Sequence, residues 1–270
     1  MSLIRESMDV LEQTSRTFFI PISRLPPRLL EAVAAAYLCM RSIDEIEDHP
    51  TLENTTKAWL LRTTSVNLQT LTSDWSSSEP TALFGKFVAL LPEVTYRLGD
   101  WIQLAPMTIK PRVIDAISAM ADRMAYWAET GWNIQSKSDL DTYTFGVAGA
   151  VGLLLSDLWA WYDNTQTNRE YAIGFGRGLQ SVNILRNREE DMNRGVNFFP
   201  LNWNEEQVTS YARFNLSLAN AYLQELPPGP AFDFCKIPFD LANATLSAIS
   251  RGDGKLSRAE VIRLTSSPVK

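Results

Sequence analysis

The sequence predicts an all-α chain, folded as one helical bundle spanning residues 1–270. Three observations carry that prediction. Apolar residues recur at helical spacing, and no Asn-Gly or Asp-Gly turn lies between β-branched runs. Prolines gather at 21–27, 50, 80, 92, 106, 111, 200 and 227–238, with none between Pro111 and Pro200. Proline breaks helix interiors, so that stretch can hold long core helices. The apolar fraction of 45% is that of a chain burying a real core.

In order along the chain, helices are expected at roughly 2–13, 28–48, 54–72, 81–100, 110–132, 138–162, 168–194, 205–225 and 237–250. Ser136 and Ser138 are candidate N-caps ahead of Asp139 and Asp141. Glu225–Pro230, the run ELPPGP, reads as a rigid connector before the last helices. There is no internal repeat and no low-complexity segment.

Composition removes several function classes. A net charge of −6 without a Lys/Arg run argues against a nucleic-acid surface. Cys39 and Cys235 have no metal-ligand spacing and imply no disulfide framework, so a reducing, cytoplasmic setting is expected. The N-terminus lacks a signal-peptide core. The longest apolar run, Phe145–Leu155, is shorter than the roughly 20 residues of a membrane span, and no stable membrane anchor is expected. His49 is the only histidine, which disfavours a Ser-His-Asp hydrolase or a His-rich metal centre. Gly174–Gly178 imitates a phosphate loop, but its context is helical and no strand precedes it.

Two acidic clusters point to chemistry. The first is Arg41-Ser-Ile-Asp44-Glu-Ile-Glu47-Asp48 and the second runs from Gln180 through Asn183, Arg186 and Asn187 to Glu190-Asp191. Residues at i, i+3 and i+4 share a helix face, so Arg41, Asp44 and Asp48 project together, as do Asn183, Asn187 and Asp191. Mg²⁺ takes a few carboxylates plus phosphate oxygens, and arginine grips phosphate through paired donors. Such faces suit a Mg²⁺–diphosphate site. The bland alternative is a solvated face with i,i+4 pairs, which accounts for Arg188 and Glu189. It accounts less well for a charged cluster ending the apolar segment Ala32–Met40.

Four further segments admit a structural and a functional reading. Gly174, Gly176 and Gly178 cost about 1 kcal/mol each inside a helix, which indicates close helix approach or room for a ligand. Tyr143–Gly152 is rich in small residues that allow tight packing. Ser15-Arg16-Thr17 can hold phosphate or cap a helix. Arg251–Arg258, including Lys255, can close over a diphosphate or form a plain turn.

Together these segments resemble the squalene/phytoene synthase family. The resemblance runs from end to end: Ser15-Arg16-Thr17-Phe18, then Arg41, Asp44, Glu47 and Asp48, then Tyr143 to Gly152. Gln180, Asn183, Ile184, Leu185, Arg186, Glu190 and Asp191 follow, with Arg194-Gly195 and Phe199-Pro200. It implies the all-α isoprenoid synthase fold with a central cavity, a prenyl diphosphate substrate and two or three Mg²⁺ ions between the acidic helices. By position it implies Asp44, Asp48, Asn183, Asn187 and Asp191 as metal ligands. It implies Ser15, Arg16, Thr17, Arg41, Gln180 and Arg186 as diphosphate contacts, and Tyr143 and Phe145 near the reacting carbons. Two departures stand out: Asn187 occupies a place where the family carries aspartate, and Phe145 one where it carries a polar aromatic.

Two reaction outcomes follow from ionising an allylic diphosphate. With two chains bound, the cation is trapped by the second chain; with one, it attacks its own distal double bond. Asn187 favours handling a single diphosphate, and the sequence is similar to humulene synthases that adopted this fold and use a C-terminal lysine, here Lys255. Cyclisation of farnesyl diphosphate to a sesquiterpene such as humulene is therefore the expectation. Head-to-head coupling ranks second, with NADPH needed only for squalene. An inactive partner subunit ranks third. A monomer or homodimer is expected.

Overall fold

The amphipathic periodicities resolve into helices in the computed structural model, which describes residues 2–70 and 83–266; the side chains of Arg16 and Ser266 lie outside the described residues. The chain divides into two compact units, residues 1–131 and 132–270, each described by itself. No strand occurs among the described residues, as the all-α expectation requires.

The first unit contains α1 (Leu3–Thr14), α2 (Arg16–Ser23), α3 (Pro27–Glu47), α4 (Asn54–Gln69), a 3₁₀ turn at Gly85–Leu90, α5 (Glu93–Tyr96), α6 (Leu98–Leu104) and α7 (Lys110–Glu129). Helix α3 is its axis and packs against α1, α4, α5, α6 and α7. Its run Ala32–Ala36 is buried throughout, because small side chains let neighbouring helices approach closely. Buried polar groups tie α3 to the α5 region. The Ser42 hydroxyl donates to the Val94 carbonyl at 2.5 Å and Thr95 donates to the Ser42 carbonyl at 3.1 Å. The end of α3 is capped from outside: buried Lys57 of α4 donates its Nζ to the Glu47 carbonyl at 2.7 Å. That supplies an acceptor-satisfying partner which the last helical turn cannot provide for itself.

The second unit contains α8 (Lys137–Thr144), a π-helical turn at Phe145–Gly149, α9 (Ala150–Asp163), α10 (Arg169–Arg186), α11 (Arg188–Asn193), α12 (Glu205–Glu225), α13 (Pro230–Ser250) and α14 (Arg258–Ser266). Here α10 is the axis, packed against α8, the π turn, α9, α12 and α13. The glycines make that packing. A Cβ on Gly176 would stand 2.1 Å from the Ala148 carbonyl oxygen, and one on Gly152 2.0 Å from that of Ala172. Backbone meets backbone there, so close helix approach is the reading the structure supports. Ser136, rather than Ser138, caps α8, in a reciprocal box with Asp139.

Several boundaries differ from expectation, each for a local reason. The helix expected at 54–72 ends at Gln69, and residues 71–82 lie outside the described residues. The one expected at 81–100 is cut near Pro92 into short pieces. The one at 138–162 is continuous but contains the π turn, and the one at 168–194 is interrupted at Asn187. The last expected helix begins at Pro230, not 237, with Pro238 inside it; α2 holds Pro21. Proline lowers helix stability without forbidding a helix that packing holds. Neither α2 nor α14 was expected. The continuous stretch Lys137–Asp163 is long and apolar enough to cross a membrane, unlike the shorter apolar run read from the sequence. It packs against α10.

Candidate active site

In the first unit the candidate side chains line the last two turns of α3. Arg41, half-buried, grips two carboxylates of its own helix: Nη1 donates to Asp44 and Nη2 to Glu45. Its Nε is buried with no acceptor. Asp44 is half-buried and Asp48 exposed. The Asp44 carboxyl is pushed up to about 7, by burial first and by neighbouring Asp48 second, with Arg41 pulling the other way. The helix dipole adds to this. Asp44, Glu45 and Glu47 occupy the last turn of α3 with Asp48 at its cap, the negative end, and that turn carries no basic residue.

Tyr37, one turn before Arg41, completes the cluster, and sequence reading missed it. Its hydroxyl is hydrogen-bonded to the Ser15 side chain, and burial pushes it up to about 12. Its ring packs on Phe18 with centroids 5.3 Å apart. The i−4 spacing from Arg41 was the available signal. Ser15 also caps α2, accepting from the Phe18 N–H at 3.4 Å. Of the Ser15–Thr17 triplet, the structure brings Ser15 to the cluster and leaves Thr17 exposed.

In the second unit the acidic set is bound by cations of its own. Arg186 Nε donates to Asn187 Oδ1 at 3.1 Å, Arg194 pairs with buried Asp191 at 2.5 Å, and Lys255 pairs with Glu190 at 2.9 Å. Lys255 holds the Glu190 carboxyl below its ordinary value. The helix break at Asn187 keeps its register: Asn187 N–H donates to the Asn183 carbonyl, and Asp191 N–H to the Asn187 carbonyl, both at 2.9 Å. Gln180 and Asn183, one turn apart and half-buried, have no side-chain hydrogen bond among the described residues. Half-buried amides without partners suit a polar ligand. Tyr143 is buried and stacked on Phe198 at 4.6 Å, and Arg177 lies 5.9 Å over the Phe145 ring. Lys255 sits on an exposed turn built by Gly252 and Gly254, whose φ values are +84° and +69°.

Among the described residues no group of three or more His, Cys, Asp and Glu forms a metal cage. Mg²⁺ does not need one, since it uses one or two carboxylates plus phosphate oxygens and water. Paired Asp44 and Asp48, with a carboxyl destabilised by burial and by its neighbour, fit that pattern.

The squalene/phytoene synthase family model matches residues 11–216. The squalene synthase of Schizosaccharomyces pombe is 29% identical over 279 residues, covering 92% of this chain and 60% of that protein. The squalene synthase of Bos taurus is 26% identical, covering 97% and 69%. The chain thus spans about three fifths of the length of the fungal relative. The structure of TcSQS with the ligand E5700 superposes with a TM-score of 0.80 at 21% identity, covering 98% of this chain and 85% of that one. A dehydrosqualene synthase in complex with ligand gives 0.61 at 18%, covering 98% and 94%. These likenesses show the all-α isoprenoid synthase fold.

One expectation is overturned. Cyclisation to a sesquiterpene such as humulene ranked first, yet the relatives are squalene synthases, which favours head-to-head coupling. Asn187 had tipped that ranking. Its amide oxygen, held by Arg186, is compatible with either outcome and does not discriminate between them.

Proposed function

Because this chain belongs to the squalene/phytoene synthase family, we propose that it couples two allylic prenyl diphosphates head to head, farnesyl diphosphate being the favoured substrate. The observation carrying the chemistry is the end of α3, where four carboxylates crowd the negative pole of a helix. Such an arrangement is costly until a cation arrives. Asp44 and Asp48, with Asn183, Asn187 and Asp191, are the proposed holders of two or three Mg²⁺ ions. Bound Mg²⁺ supplies charge neutralisation for the leaving diphosphate.

The chain's own groups do the rest. Arg41, Arg186, Ser15, Arg16, Thr17 and Gln180 orient the diphosphates, and Lys255 adds a mobile positive charge. Tyr143 and Phe145 present π faces that stabilise a carbocation. Coupling two chains to a C30 hydrocarbon forms the new carbon–carbon bond, releases both diphosphates and loses a proton. Squalene as product requires a hydride as well, from NADPH; dehydrosqualene requires none and loses a second proton instead.

The test is incubation with farnesyl diphosphate and Mg²⁺, with and without NADPH, followed by GC-MS of the extracted hydrocarbons. A C30 hydrocarbon is expected. Only C15 hydrocarbons, or no turnover with C15 or C20 substrates, would overturn the proposal.

A further inference from the structure

Glu45 lies beside the acidic pattern and belongs to none of the groups assigned above. Its carboxylate nonetheless takes one Nη of Arg41 while Asp44 takes the other. Local helix stability does not explain a glutamate there. A glutamate one turn C-terminal to its cation is the weaker of the two i,i+4 orientations. It also stands in the last turn of α3, where the dipole disfavours negative charge. The pair is not a freely exposed one: the side chains are 30% and 28% accessible.

The consequence appears when a divalent cation arrives. A cation that draws both Asp44 oxygens takes from Arg41 one of its two anchors. Glu45 is the other. With Glu45 in place, Arg41 stays at the end of α3 with Nη1 released for the diphosphate. Without it, a long side chain regains its rotamers at the moment phosphate must be gripped. We propose that Glu45 is a positioning residue, which holds Arg41 for the diphosphate once Asp44 is committed to the metal. The assignment rests on the Mg²⁺–diphosphate function proposed above.

The experiment is calorimetric titration of inorganic pyrophosphate into the full chain at saturating Mg²⁺, for wild type, E45Q, E45A and E45D. Mg²⁺ titrations and circular dichroism run alongside. Both E45Q and E45A should bind Mg²⁺ as wild type does but bind pyrophosphate about tenfold more weakly, the loss of one charge-assisted contact's worth of positioning. E45D, which keeps a carboxylate, should fall between. With prenyl diphosphate, KM should rise more than kcat falls. Wild-type pyrophosphate affinity in E45Q would overturn the positioning role, and so would loss of Mg²⁺ affinity, which would make Glu45 a ligand. Absence of Mg²⁺-dependent pyrophosphate binding by the wild type would instead remove the proposed function, and this role with it.

Discussion

The two acidic sets look alike as sequence and differ as electrostatics. At the end of α3, four carboxylates share Arg41 and the buried Lys57, and Lys57 is engaged by a backbone carbonyl. At the junction of α10 and α11, three carboxylates stand among Arg186, Arg188, Arg194 and Lys255. One set concentrates negative charge at the wrong end of a helix; in the other, Glu190 and Asp191 each have a cation of their own. An acidic motif is therefore not one kind of object. The first is poised to gain stability from a cation, whereas Asp191 and Glu190 of the second must exchange partners before they can ligate one.

The largest expected effect separates ligands from packing. Asp44→Ala or Asp48→Ala should lower turnover about 100- to 1,000-fold with circular dichroism unchanged. Substantial residual activity would remove the first set from the metal site. Next, Gly176→Val forces side-chain atoms into the Ala148 carbonyl and should destabilise by about 1–3 kcal/mol in denaturant unfolding. It should weaken the second set while sparing Mg²⁺ binding by the first, and a stable variant would show that α10 can shift without cost.

The pH dependence of the metal-free chain sharpens the contrast further. The folded Asp44 carboxyl is raised to about 7 from an ordinary value near 4. A raised acid contributes stability that is full below its unfolded value and is lost as pH rises through the folded one. The melting temperature should therefore fall between pH 4 and 7 by more in wild type than in Asp44→Asn. Equal slopes would show that Asp44 is not strained. Asn187→Asp should leave turnover within a few-fold or raise it, because Arg186 can donate to a carboxylate as well as to an amide. A collapse in rate would mean that the missing charge matters. Smallest of all, Lys255→Ala should leave the melting temperature unchanged, since both partners of its pair are exposed. Any loss of rate would then place Lys255 on the substrate rather than on Glu190.

The departures from sequence expectation share a cause. Pro21 and Pro238 suggested helix ends, but both lie within helices whose packing outweighs the missing hydrogen bond. Nothing local announces the π turn at Phe145–Gly149. Tyr37 read as one more apolar residue because its partner, Ser15, belongs to another helix. Gly152 and Gly176 were legible as sites of close approach, though the carbonyls that they meet were not.

The sequence by itself determined the helical class, the family and the faces that carry Asp44, Asp48, Asn183 and Asp191. The helical class and the faces follow from composition and from spacings of three and four residues, which are properties of a single helix; the family follows from the resemblance of motifs in order along the chain. Tertiary structure alone decided which charge meets which. Lys57 caps the Glu47 carbonyl, and Lys255 reaches Glu190 across 65 residues of chain. Such pairings depend on how helices pack, and packing is governed by the shapes of many side chains at once rather than by any local pattern.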